Sequence, residues 1–165
     1  MADFTRSTSS VSTKRLMLGF LAGFIAVLVF HQPVLGLLNV VGLTAGTPYP
    51  MRPLPPLGVP AVLSAAFWGG VWGIALALLA PRLGRGAGYW LGALAFGAVL
   101  PTLIAWFVVL PLKGLPAGDG LAWPGVLVGP VVNGAWGVGA ALLLAAAGWG
   151  RSRAASGGGL PQCGR

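Results

Sequence analysis

The chain has 165 residues, of which 56% are hydrophobic and only 7% charged; soluble domains carry roughly 25% charged residues, so the composition points to a lipid solvent. Ten basic residues against two acids leave a net charge of +8, but the bases are scattered between apolar runs with no face to follow phosphates, which argues against a nucleic-acid partner. With Asp3 and Asp119 as the only acids, His31 as the only histidine and Cys163 as the only cysteine, paired-carboxylate catalysis, an internal disulfide and a protein-only metal site have no residues to build them.

Residues 1–15 are polar and rich in Ser and Thr, which predicts a disordered cytoplasmic tail. The first transmembrane span is expected over 16–38. It opens like a signal-peptide core, with Lys14 and Arg15 ahead of fifteen apolar residues. No small-x-small cleavage site follows and apolar character resumes after Pro33, so it reads as an uncleaved helix. Thr44 to Pro60, "TAGTPYPMRPLPPLGVP", is too proline-dense for helix. Further spans are expected over 61–79, 88–110 and 124–149, with a second disordered cytoplasmic tail at 150–165. Each span is long enough, at 1.5 Å per residue, to cross a hydrocarbon core of roughly 30 Å. The expected fold is therefore all-α, a single polytopic four-helix transmembrane bundle over 16–149.

Eight of the ten bases (Arg6, Lys14, Arg15, Arg82, Arg85, Arg151, Arg153 and Arg165) fall on one side of this topology, leaving Arg52 and Lys113 on the other. The positive-inside rule places both termini in the cytoplasm. Tyr89, Trp90 and Trp149 then mark the inner interface and Trp123 the outer one. Trp68, Trp72, Trp106 and Trp136 fall inside spans, where they read as packing or lipid-facing bulk.

The second and fourth spans align without gaps at an offset of 64: "PAVLSAAFWGGVWGIALALL" over "PGVLVGPVVNGAWGVGAALL". The shared Gly-x-Trp-Gly core suggests a duplicated αα-hairpin, giving two parallel repeats. The first and third spans agree more weakly, through Gly19/Gly23 against Gly88/Gly92 and through Pro33 against Pro101. Small-x-x-x-small pairs recur in every span: Gly19/Gly23, Gly69/Gly73, Gly88/Gly92 and Gly125/Gly129. That spacing lets helix backbones approach closely, within the bundle or against a second copy or another membrane subunit.

Polar residues inside the spans share one depth. His31, Gln32, Ser64, Thr102 and Asn133 all fall in the outer half, on four different helices, with Arg52 just above. Pro33 and Pro101 would free backbone carbonyls at the same level. Two accounts compete. In one, these groups hydrogen-bond across helices and to the freed carbonyls. In the other, they line a small outer pocket in which His31 is the only group titrating near neutrality. His31 as a haem ligand is a further alternative that needs a second axial ligand from elsewhere. No nucleotide-binding or nucleophile-elbow pattern is present.

At "FHQPVLGLL", "GVPAVLSAAFWGGVWGI", "GYWLGALAFGAVLPTLIAWFVVLPLKG" and "GPVVNGAWGVGAALL" the chain resembles an uncharacterised family of small four-helix inner-membrane proteins of proteobacteria, over about Leu16 to Ala146. The resemblance implies a bacterial inner membrane and supplies no activity, cofactor or site residues. The leading expectation is a non-enzymatic protein without cofactors that acts by binding or assembly, as an accessory subunit or homo-oligomer in the bilayer. The alternative is a small transporter or channel for a neutral solute, since the spans hold no acid or base to couple ions.

Overall fold

The computed structural model describes residues 12–148. The C-terminal tail, Trp149 and most of the N-terminal tail lie outside the described residues. Four helices follow: α1 (Thr13–Val40), α2 (Ala61–Arg82), α3 (Ala87–Leu112) and α4 (Gly125–Ala146), each long and apolar enough to cross a membrane. The fold is an all-α four-helix bundle.

The helix ends differ from expectation in ways the backbone explains. α1 starts at Thr13, so Lys14 and Arg15 are helical rather than part of a tail. The Arg15 guanidinium reaches α2 and donates to the carbonyls of Ala77, at 2.6 and 3.1 Å, and of Leu78, at 2.9 Å. It satisfies carbonyls that the end of a helix leaves without partners. The start of α2 has no side-chain cap. The proline-dense loop supplies one from its own backbone, as Ala61 N–H donates to Arg52 O and Val62 N–H to Pro50 O, both at 3.0 Å. That loop is not wholly irregular: β1 (Pro53–Leu54) pairs antiparallel with β2 (Val59–Pro60), with Pro53 opposite Pro60.

α1 packs along α2 and α3 along α4, and α1 also packs on α4; α2 and α3 approach each other far less. Their meeting includes an edge-on contact of Trp72 with Phe96, ring centres 6.0 Å apart. The bundle is thus two antiparallel hairpins joined through α1 and α4. Its core is rich in small residues, among them Ala26, Ala66, Ala77, Ala93 and Ala140, with Leu76, Leu144, Phe96 and Trp136 as larger members.

Glycine sets the spacing in both hairpins. In the first, a Cβ on Gly23 would run into Gly69 O and lie 2.8 Å from Gly73 Cα; one on Gly19 would lie 2.9 Å from Gly73 O. In the second, a Cβ on Gly97 would run into Asn133 O and lie 2.8 Å from Gly137 Cα. No side chain fits such crossings, so the backbones meet directly. Gly19/Gly23 and Gly69/Gly73 therefore do face one another. Gly88 and Gly92 do not serve the same purpose: their nearest neighbours are atoms of Leu83, in the link before α3. Gly125 faces Gly120 O in the preceding loop, and Gly129 faces Thr102 and Trp106. The partner of Gly137 is Gly97, so the counterpart of Gly23 in α3 is Gly97 and not Gly92.

The two crossings correspond. Gly73 and Gly137 stand at the offset of 64 already seen between α2 and α4, while Gly23 and Gly97 stand at 74. At the same two offsets, the Tyr89 hydroxyl donates to Ala141 O at 2.9 Å, where Arg15 donates to Ala77 O in the first hairpin.

Candidate functional site

The half of the bundle farther from the termini is shaped by two prolines. α1 turns π-helical over Val27–His31, immediately ahead of Pro33, and Gln32 N–H donates to Val27 O. In this i→i+5 register the next carbonyl, Leu28 O, faces Pro33, which has no N–H to give. The Tyr49 hydroxyl takes its place, donating to Leu28 O at 2.8 Å. The Gln32 side chain, 2% exposed, accepts from Tyr49 N–H through Oε1 at 2.8 Å. Tyr49 thus holds α1 with both its ends, in a left-handed backbone conformation (φ 51°) that a non-glycine residue seldom adopts.

α3 repeats the device. It is π-helical over Ala105–Val109, ahead of Pro111, so Trp106 O faces a residue without an N–H. Gly118 N–H, from the following loop, donates to it at 3.0 Å. The counterpart of Pro33 is therefore Pro111 and not Pro101, which lies within the α-helical part of α3. A sequence signal for this exists in "PVLGL" (33–37) and "PLKGL" (111–115). The π segments stand 78 apart, four more than the glycine crossings, so α3 carries about one extra turn between crossing and bulge.

Tyr49→Phe tests this clip. It should leave the spans intact, cost about 1 kcal/mol and speed amide exchange across 44–60. Exchange there equal to that of the unaltered chain would mean that the hydroxyl does not hold the loop.

The polar residues expected at one depth separate into small groups. Asn133 Nδ2 donates to Thr102 Oγ1 at 2.8 Å, tying α4 to α3 beside the glycine crossing. Gln32 binds the loop through Tyr49. Ser64 lines a cleft of about 360 Å³ between α2 and the β-hairpin, with Leu54, Pro55, Pro56, Leu57 and Phe67 among its walls. Arg52 is exposed, and its carbonyl caps α2. His31 stands apart: its Nδ1 is buried and has no hydrogen-bond partner among the described residues. Of these groups only Asn133 and Thr102 bond helix to helix, Gln32 bonds to the loop, and His31 stands outside both.

Three features escape a reading of polar residues by depth. The Trp136 indole N–H donates to Gly23 O at 2.9 Å, linking the second hairpin to the crossing of the first. Tyr49 does its work from a loop. The third is a second cleft, of about 490 Å³, between the π segment of α3, the loop before α4 and the start of α4, whose walls include Trp106, Asp119 and Trp123.

Four apolar spans, two π segments whose freed carbonyls find donors in the adjoining loops, and backbone-to-backbone glycine contacts together define a multi-pass integral membrane protein. No family model, curated protein or solved structure matches the chain.

Proposed function

We propose that the protein is a non-enzymatic assembly or accessory subunit of a bacterial inner membrane, with both termini cytoplasmic, that recruits another transmembrane helix to the outer face of α2. The observation that carries this reading is Trp68. It lies seven residues into α2, about 10 Å from the helix start, yet is 58% exposed. Tryptophan favours the membrane–water interface over the hydrocarbon interior, so an outward indole at this depth suits a protein contact better than lipid. Phe67 packs edge-on against Trp68 at 5.7 Å and against Phe20 of α1 at 5.8 Å, which makes a continuous aromatic surface. The distribution of basic residues supports the orientation. The matching crossings, together with the paired π segments, support descent of the two hairpins from one duplicated αα-hairpin.

Purification in mild detergent with mass analysis tests the reading. A stoichiometric partner, or a second copy, should co-purify with the intact chain and be lost in Trp68→Leu. It should be retained in Leu91→Ala, which alters an exposed residue of α3. A folded monomer that carries no partner would refute the proposal.

A second reading, a path for a neutral solute, is favoured by one observation: the buried, unpartnered Nδ1 of His31. A His31→Phe variant that folds and loses solute uptake into vesicles would support it, and unchanged uptake would dismiss it.

A further inference from the structure

The cleft beside α3 has a composition unlike the rest of the protein. Asp119 is the only acid among residues 12–148, in a chain of net charge +8, and it lines a cleft with two indoles. Its carboxylate has no hydrogen bond or ion pair among the described residues, although bases outnumber it throughout. Lys113, the nearest base in sequence, does not line the cleft.

The walls are held in place. The Gly118–Trp106 hydrogen bond draws the loop onto the π segment at 3.0 Å. The Nε1 edge of Trp106 sits in a crook between Gly120, where a Cβ would collide with the ring, and Gly129, where one would lie 3.2 Å from Cζ2. Trp106 therefore cannot swing aside without moving the loop or α4. Trp123, 70% exposed, stands at the mouth. The cleft, of about 490 Å³, is wide open, so an occupant would rest against the two indoles while staying partly exposed.

We propose that this cleft binds a methylated ammonium group, with Asp119 supplying the counter-charge and the indoles of Trp106 and Trp123 the aromatic walls. Indole faces attract quaternary ammonium through the ring quadrupole, and the attraction grows where water is displaced. One carboxylate is too few oxygens to hold a calcium or magnesium ion, and the cleft offers no base for an anion. The ammonium belongs either to a phosphocholine-type lipid headgroup or to a free soluble amine. The inference is independent of whether α2 recruits a partner.

Equilibrium dialysis of the full chain in maltoside micelles against radiolabelled tetramethylammonium tests it, at constant ionic strength set with sodium chloride. Saturable binding is expected, weakened about tenfold or more in Asp119→Asn and in Trp123→Leu. Both positions are exposed, so thermal melting should not change. Absence of saturable binding, or affinity in Asp119→Asn within twofold of the unaltered chain, would overturn the proposal. Repeating the measurement in phosphatidylglycerol nanodiscs with and without phosphatidylcholine separates the two sources. Loss of tracer on adding phosphatidylcholine marks the headgroup as occupant, and retention marks the soluble amine.

Discussion

Gly23→Ala should destabilise the bundle by about 3 kcal/mol, a large effect for a single methyl group. The added carbon would meet Gly69 O and lie 2.8 Å from Gly73 Cα. Both are backbone atoms that cannot rotate away, so the helices must part along their length. Gly97→Ala should cost a similar amount at the matching crossing, where Asn133 O and Gly137 Cα stand in the way. Gly92→Ala is the control. Its new carbon would meet the Leu83 side chain, 2.9 Å from Cδ2, and a flexible side chain can yield. Unfolding measured in mild detergent should therefore rank Gly23 and Gly97 together and well apart from Gly92. Equal losses at all three would mean that glycine spacing, and not the observed crossings, governs stability.

Trp136→Ala should be at least as damaging, at about 3 to 5 kcal/mol. The indole is 2% exposed, tilts against Phe96 with ring centres 6.5 Å apart, and donates to Gly23 O. Its removal opens a cavity where the two hairpins meet. Trp136→Phe isolates the hydrogen bond, at about 1 kcal/mol, because bonds inside membranes average well below their expected worth. Trp72, its partner in the aligned sequence, is only half-buried, and Trp72→Ala should cost less. If both alanine variants melt alike, the sequence repeat would be the better guide to energetics than the contacts are.

That contrast shows what could be read before the structure. Spans were legible because the hydrocarbon core rewards long apolar runs almost independently of context. The glycines at 19, 23, 69 and 73 were legible because their spacing places them on one face. Gly97 was not, because a single glycine in an apolar helix looks like any other until a partner stands opposite. Position along a span sets the expected depth of a polar residue, but depth says nothing of rotation about a helix axis. Thr102 and Asn133 turned out to face each other, whereas Gln32 faces a loop. Both π segments depend on a carbonyl without a partner and a donor from the next loop, a relation that spans up to 21 residues between Leu28 and Tyr49. A local pattern does not carry it. The paired Pro-x-x-Gly-Leu segments were its only trace.

The thin seam between α2 and α3 bears on how the two halves are joined. Each hairpin holds its own glycine crossing and its own loop clip, so each half is braced by contacts within itself and the two meet chiefly through α1 and α4. The joint is the packing of α4 on α1, where Trp136 reaches the Gly23 carbonyl at the first crossing. The indole thus makes the seat of the second hairpin depend on the first crossing, because a displaced Gly23 carbonyl would lose the donor that joins the halves.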